Sequence, residues 1–423
     1  MRPRIAGQNW RERGSPPLSS LSPLRGRIIA VGGVIVFLLA AGVWISLTHA
    51  SAQQSASGGT GKPGVSASAS PSSQVPSQPL QVVSETPSAG STGVNGAGDI
   101  KIQFSAPLSD SSPLPTLKPA IPGSWQGDGT STLQFVPTTG FEQHTKVVVK
   151  IPGGALGVQS EKGALLPQTA KLKFRTGDYS STRLAELLAQ LGYLPLTWAP
   201  AAGVTVPVAT DAQAQLSAAY DPPQGTYAWQ SGWPTRLQSF WDDGSGSSLM
   251  IKGAVMAFES EHGMAVDGVA GPEVWSGLLK AVAASDMNKN GYTYGLASEG
   301  NPETLTVWHD GHVVLKTLAN TGISAAPTTL GTAPVYLRYY FQIMKGKNPD
   351  GSKYADPVYY VSYFRAGEAV HFFDRGSYGW PQSLGCVELP LSDAKKAYPY
   401  LTYGSLVTVA SGSLTPSSSP VAN

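Results

Sequence analysis

Hydrophobic and polar residues alternate along the chain between residues 80 and 177. Runs such as Ile100–Phe104 and Val147–Ile151 place an apolar side chain at every second position, which is the period of a half-buried β-strand. Clusters of Gly, Pro and Asp separate these runs. The pattern predicts a β-sandwich over residues 80–177.

The period changes after Asp178 to that of helices. Apolar residues recur at helical spacing in Leu184–Leu191, Ile251–Phe258 and Pro272–Val282, which predicts a small helical domain over residues 178–285. An insert of about residues 195–249 separates the first helix from the others. Its aromatic residues either stack on the sugar rings of a glycan or fill a local core, and the second interpretation is favoured. They are Tyr220, Tyr227, Trp229, Trp233, Phe240 and Trp241.

Strand-like runs return between residues 291 and 411 and predict a third, mainly-β domain. Asp310 and Gly311 form a two-residue hairpin turn between two of these runs. The polar residues 412–423 are predicted to be a disordered tail.

A twenty-residue segment without charge, Ile28–Leu47, precedes all three domains. Its length fits a transmembrane helix. The arginine-rich residues 1–27 favour a cytoplasmic N-terminus, and the Ser/Gly/Pro-rich residues 48–79 are typical of a disordered linker. We therefore expect a single-pass protein of the cell membrane with its folded part facing the cell wall. Cleavage after Ala52 would instead give a secreted form.

Charge is distributed unevenly along the 423 residues. The first 27 residues have a net charge of +5. Because the whole chain has a net charge of +2, the remainder has −3. A mildly acidic body gives no electrostatic reason to expect nucleic-acid binding. The length itself implies several domains.

The chain contains one cysteine, Cys386, so it has no internal disulfide. His371 lies 15 residues upstream at the end of a strand-like run. An imidazole within hydrogen-bond reach would remove the thiol proton and stabilise a thiolate. Consecutive backbone N–H groups around Gly385 and Cys386 would suit an oxyanion hole. The residues alone leave an intermolecular disulfide and an inert buried thiol as alternatives, and no metal site is predicted.

The segment from Pro302 to Val409 resembles the catalytic domain of L,D-transpeptidases. The resemblance rests on two short motifs and a final strand: Gly331 and Thr332 in a TTLGT turn, His371, the Ser-x-Gly-Cys sequence at Ser383, Gly385 and Cys386, and Val407–Val409. Two positions depart from the family pattern. Leu384 stands where a second histidine is usual, and Thr329 where the turn usually has proline.

This resemblance implies catalytic roles for four residues. Cys386 would be the nucleophile, His371 the general base and acid, the Phe372 carbonyl the group that orients His371, and Gly385 an oxyanion-hole residue. Substrate contacts are expected at Tyr354, Ser383 and Leu384. The expected partners are peptidoglycan stem peptides and glycan, with no cofactor, and carbapenem-type inhibitors would acylate the enzyme.

The expected reaction is formation of 3→3 cross-links through a thioester. Two alternatives stay open: an L,D-carboxypeptidase that trims tetrapeptide stems, and a non-catalytic peptidoglycan-binding adaptor. The other domains also resemble known families. The β-sandwich resembles bacterial immunoglobulin-like domains, and Lys252–Leu279 resembles the small helical peptidoglycan-binding domain.

Overall fold

The structure is a computed structural model that describes residues 78–127, 129–242 and 248–412. The predicted basic tail, the predicted membrane helix Ile28–Leu47 and most of the predicted linker lie outside these residues. So does nearly all of the predicted C-terminal tail. Within the described ranges, no helix is long and apolar enough to cross a membrane.

The β-sandwich predicted for residues 80–177 is present. In the described part of this segment, seven antiparallel strands form two sheets, of order β1-β2-β5-β4 and β3-β6-β7. Alternate side chains of each sheet enter one shared core, as the two-residue period requires. The strands are β1 Val82–Thr86, β2 Ile100–Phe104, β3 Thr116–Lys118, β4 Gly123–Gln126, β5 Thr132–Pro137, β6 Lys146–Ile151 and β7 Ala170–Arg175.

The described residues between 178 and 290 form five helices and one two-stranded antiparallel sheet. The three predicted helices correspond to α1, α4 and α5, and Pro272 occupies the first turn of α5. The Glu259 carboxylate accepts the backbone N–H groups of Asp267 and Gly268, which holds the turn between α4 and α5. The elements are α1 Ser181–Gln190, β8 Leu196–Pro200, α2 Ala212–Tyr220, β9 Gly225–Trp229, α3 Thr235–Gln238, α4 Leu249–Glu261 and α5 Pro272–Ala284.

The aromatic side chains of the insert pack inward. Trp233 is buried, and four others contact the core of the helices: Tyr227, Trp229, Phe240 and Trp241. The sixth, Tyr220, donates its hydroxyl to the Phe141 carbonyl at 2.9 Å. The insert therefore uses its aromatic residues as a local core.

Two sheets and one helix make up the described residues 291–412. The first sheet has the order β12-β11-β10-β18-β13 and the second β14-β15-β16-β17. Two neighbouring pairs, β10 with β18 and β16 with β17, are parallel. The elements are β10 Thr293–Glu299, β11 Thr304–His309, β12 His312–Leu318, β13 Gly331–Pro334, β14 Leu337–Lys347, β15 Lys353–Arg365, β16 Glu368–Phe372, β17 Val387–Leu389, α6 Leu391–Ala397 and β18 Leu406–Ser411.

The helices and the first of these sheets share one hydrophobic core. Tyr294 and Leu296 of β10 and Leu406 of β18 belong to the same buried cluster as Ile251 and Val255 of α4. One face of the sheet is therefore covered by the helical segment. A large shared apolar area makes the two parts one structural unit.

A contact between two glycine backbones sets how closely α4 approaches the sheet. A Cβ atom on Gly253 would lie 2.5 Å from the Gly404 carbonyl oxygen, and one on Gly404 would lie 2.1 Å from the Gly253 oxygen. Gly404 also has φ of +82°, a conformation that favours glycine. The joint between helices and sheet therefore requires both glycines.

We expect Gly253→Ala to lower the free energy of unfolding by about 1–3 kcal/mol, because the added methyl overpacks the joint. Alanine would otherwise stabilise a helix interior by about 1 kcal/mol. Gly277→Ala in α5 is the control, since the atoms nearest to a Cβ atom there would belong to side chains and not to backbone: the flexible end of Met264 at 2.7 Å and the Phe258 ring at 3.1 Å. Chemical denaturation of both variants tests this. A Gly253→Ala protein as stable as the control would contradict the contact.

Candidate active site

His371 lies on β16, an interior strand of the second sheet, between β15 and β17. The strand sequence Glu-Ala-Val-His-Phe buries its central three side chains, and His371 is 3% exposed. Strand pairing on both sides fixes the backbone. The imidazole therefore projects from a rigid position.

The orientation of the ring is set by the next residue. His371 Nδ1 lies 2.9 Å from the Phe372 carbonyl oxygen. A carbonyl oxygen only accepts hydrogen bonds, so Nδ1 carries the proton and Nε2 is left as an acceptor. The hydrogen bond expected at Phe372 is therefore present, and the tautomer that it selects is the one a general base needs.

Cys386 directly precedes β17, which pairs in parallel with β16. The register places Val387 opposite Val370 and Glu388 opposite His371. Side chains two residues apart on a strand share a face, so the thiol projects on the same face as the imidazole. The structure thus places on one face of the sheet the two residues that the sequence separates by 15 positions.

Ser383 holds the turn that presents the thiol. Its hydroxyl donates to the Cys386 carbonyl at 2.6 Å and accepts the Gly385 N–H at 3.1 Å. Gly385 has φ of +110°, which favours glycine over residues with a side chain. Small residues around Cys386 are therefore needed for the shape of the backbone.

Two expectations are corrected by this turn. Ser383 is fully buried, and both hydrogen bonds of its hydroxyl lie inside the turn. It is therefore not available for contact with the substrate. The Gly385 N–H already donates to that hydroxyl. An oxyanion at this amide would have to displace Ser383, so the arrangement does not support Gly385 as the oxyanion donor.

Burial favours the neutral forms of both the thiol and the imidazole in the resting protein. Burial raises the pKa of Cys386 to about 12, although the Ala369 amide opposes the shift. Burial also lowers the pKa of His371, against the opposing hydrogen bond to Phe372. The Cys386 thiol donates to the Gly367 carbonyl at 3.6 Å. The expectation of a stabilised thiolate therefore does not hold for the resting protein.

Two tyrosines of β15 lie close enough to Cys386 to be influenced by its charge. Burial, and then a charge on Cys386, raise the pKa of Tyr354, whose role in substrate binding stays a prediction. Tyr363 shows the same two causes, and its hydroxyl donates to Gln342 at 3.1 Å. Sequence analysis missed Tyr363, because an alternating strand gives no sign of which tyrosine faces the site. Leu384 is half-buried in the turn before Cys386.

The departure at Thr329 has a structural reason. The Thr329 N–H and hydroxyl both donate to Glu368 Oε1, at 3.1 and 2.6 Å. Proline has no N–H to donate, so this clamp needs another residue at position 329. Glu368 lies beside Gly385, 3.8 Å from the place of a Cβ atom there. The clamp thus holds the 324–330 loop against the turn of the nucleophile.

We expect Ser383→Ala to slow acylation of Cys386 by about 100-fold, because misplacing a nucleophile by about 1 Å has that effect. The matched control is Ser362→Ala, since Ser362 is also buried and its hydroxyl donates to the Leu401 carbonyl at 3.0 Å. Ser383→Ala loses two buried hydrogen bonds and Ser362→Ala loses one, and only the first should lose the reaction in the folded fraction. Mass spectrometry of a carbapenem adduct over time measures it. Equal rates in the two variants would contradict the role of Ser383.

Ionisation of the single cysteine can be followed by the ultraviolet difference absorbance between the wild type and Cys386→Ala. Because burial raises the pKa of this thiol to about 12, we expect no thiolate signal across neutral and mildly alkaline pH. An unperturbed thiol would titrate near pH ~8.5. A titration there, or a thiolate already present at neutral pH, would contradict the neutral resting pair.

Two domain families match the sequence. Residues 296–409 match the L,D-transpeptidase catalytic domain, and residues 76–176 match the bacterial Ig-like domain. No curated protein matches the chain. The first match covers most of the mainly-β segment of residues 291–412, and the second covers the β-sandwich.

Several solved structures are similar to the chain. An L,D-transpeptidase from Mycobacterium smegmatis is 14% identical, with 78% of this chain and 99% of that one covered and a TM-score of 0.26. L,D-transpeptidase 3 from Mycobacterium tuberculosis is 15% identical, with 78% and 98% covered and a TM-score of 0.26. The catalytic domain of the L,D-transpeptidase from E. faecium acylated by ertapenem is 29% identical, with 28% and 96% covered and a TM-score of 0.26.

The family match and the site lie in the same segment. Cys386, His371 and the turn at Ser383 all fall within residues 296–409. The chain therefore carries a bacterial Ig-like domain followed by an L,D-transpeptidase catalytic domain, which is a cysteine-dependent acyltransferase that acts on peptidoglycan.

Proposed function

We propose that this chain forms 3→3 cross-links in peptidoglycan, with Cys386 as the nucleophile and His371 as the general base. One observation carries the assignment of roles. The His371 Nδ1 hydrogen bond to the Phe372 carbonyl leaves Nε2 as an acceptor, on the face of the sheet from which Cys386 projects.

The first step transfers the acyl group of a stem tetrapeptide to the enzyme. The sulfur of Cys386 attacks the carbonyl between the third residue and the terminal D-alanine, while His371 Nε2 takes the thiol proton. The carbon–nitrogen bond then breaks. The imidazolium returns the proton to the nitrogen of D-alanine, which leaves, and a thioester remains.

Because the thiol and the imidazole are neutral before the reaction, His371 has to remove the thiol proton while the sulfur attacks. A thiol with a pKa of about 12 is not ionised before the substrate arrives, so proton removal has to accompany attack. An amide donor is then needed for the oxyanion. Since the Gly385 amide is engaged by Ser383, the N–H of Cys386 itself is the better candidate.

The second step decides between cross-linking and trimming. The amine on the third residue of another stem attacks the thioester, His371 accepts its proton, and the Cys386 thiol is released. Water in place of that amine would give a tripeptide, the L,D-carboxypeptidase outcome. Tyr354 and Leu384 would contact the substrate. In support, a charge on Cys386 influences the pKa of Tyr354, and Leu384 lies in the turn before Cys386.

The remaining expectations concern where the enzyme works. A membrane helix at Ile28–Leu47 and a flexible linker would hold the catalytic domain between the membrane and the wall. The helical segment would add affinity for peptidoglycan, as its resemblance over Lys252–Leu279 implies. A carbapenem would acylate Cys386, as ertapenem acylates the E. faecium catalytic domain.

The test is incubation of the purified protein with disaccharide-tetrapeptide, analysed by mass spectrometry. We expect D-alanine release and a cross-linked dimer in the wild type, and neither product in Cys386→Ala. His371→Gln should reduce acylation by about 100-fold or more, since a general base contributes about 10²–10⁴-fold.

Each other outcome identifies an alternative. Tripeptide without dimer would support the carboxypeptidase. A wild type that matches Cys386→Ala in every product, takes up no carbapenem and still binds peptidoglycan would support the adaptor. Lys396→Gln is the control for expression and purification of a variant protein, and it should give the wild-type products. Lys396 is exposed, and its Nζ lies 3.9 Å from Asp393 Oδ1.

A further inference from the structure

The loop between His371 and Ser383 is closed by one arginine. Arg375 Nη2 donates to the Gln382 carbonyl at 3.1 Å, and the guanidinium lies 4.5 Å from the centre of the Phe373 ring. These contacts join the first and last residues of the loop. Arg375 therefore fixes the path of the chain between the two catalytic residues.

The same guanidinium forms a two-point ion pair with Glu388 of β17. Arg375 Nε and Nη2 donate to the two carboxylate oxygens of Glu388, at 2.9 and 2.8 Å. Glu388 is 4% exposed and also accepts a 3.5 Å hydrogen bond from Asn320. A planar two-point pair of this kind restricts geometry as well as charge.

The position of Glu388 connects the ion pair to the chemistry. Glu388 lies opposite His371 in the parallel register of β16 and β17, and it follows Cys386 by two residues. Its carboxylate therefore shares a face with both catalytic side chains. A buried carboxylate is unfavourable unless it is paired, and apolar residues would support the loop at lower cost. The buried charge of Glu388, on the same face of the sheet as the imidazole, therefore indicates a role in the reaction.

We propose that Arg375 and Glu388 are a positioning pair for the acylation of Cys386. They hold the 371–383 loop so that the thiol and the imidazole stay on one face, and they balance charge around the imidazole when it takes the thiol proton. This inference rests on the proposed function. Neither residue contacts the reacting atoms.

The charges around the site act in opposite directions. Glu388 favours the protonated form of His371, and Arg375 disfavours it. Glu388 and Glu368 both disfavour a thiolate at Cys386. Tyr354 and Tyr363 are the other titratable neighbours of the thiol.

The experiment compares Glu388→Gln, Arg375→Gln and the double variant. The pKa of His371 is measured by NMR titration of its ring, and the rate of carbapenem adduct formation is measured against pH by mass spectrometry. We expect Glu388→Gln to lower the pKa of His371 and Arg375→Gln to raise it. Each single variant should slow acylation at least ~10-fold, because the loop and the imidazole lose their alignment. The double variant should lose less than the product of the two single losses, because no unpaired charge remains.

Two further variants separate positioning from stability. Arg375→Lys keeps the charge and loses the two-point geometry, so it should leave the pKa of His371 near the wild-type value and still slow acylation. The exposed pair Lys289 and Asp286 lies outside the catalytic domain match and is 2.9 Å apart, and Lys289→Gln with Asp286→Asn is the matched control. It should change neither quantity.

Opposite shifts of the His371 pKa with slowed acylation in the folded fraction would support the pair. Shifts in the same direction, or acylation lost only in proportion to unfolded protein, would overturn it and leave a structural role. A wild type that takes up no carbapenem would overturn the proposed function. The NMR titration would still decide the charge balance in that case, so the two failures are distinguishable.

Discussion

The parallel pairing of β16 with β17 is the constraint on which the site depends. It places Glu388 opposite His371 and so brings Cys386 to the same face. Adjacent parallel strands cannot be joined by a tight turn and need a connection of about a dozen residues or more. Residues 373–386 are that connection. The spacing of 15 between the histidine and the cysteine is therefore set by topology, near the shortest that the pairing permits.

A short connection has a consequence for its own stability. It has too few residues to form a helix against the sheet, so its backbone must be satisfied by side chains and by neighbouring loops. Arg375 and Gln382 join its ends, and Asn320 accepts the Gly379 N–H. Ser383 then shapes the last turn. The polar residues around the thiol therefore make hydrogen bonds to the backbone of this connection, which explains why Ser383 is buried inside it.

Sequence patterns predicted what depends on local periodicity or on a compact motif. Such a pattern marks α1, α4, α5, the Asp310–Gly311 hairpin and the four sandwich strands β2, β5, β6 and β7. It does not mark β10, whose side chains are buried on both faces and do not alternate, or the three-residue strands β3 and β17. The pairs Thr329–Glu368 and Arg375–Glu388 join residues 39 and 13 positions apart. Only the folded chain brings such partners together, so no local signal marks them.

The shared core changes what the helical segment can do. Its apolar face is committed to β10 and β18, and the Gly253–Gly404 contact excludes side chains from the joint. From that core, the Tyr294 hydroxyl donates to Thr408 at 2.8 Å, and Thr408 lies 2.7 Å from Thr332 of the TTLGT turn. Within the described residues, the helices thus brace the first sheet of the catalytic domain directly, and not the second sheet, which carries His371. A segment fixed in this way would have to bind any wall polymer through its remaining surface, and bound polymer would then be held at a defined position relative to Cys386.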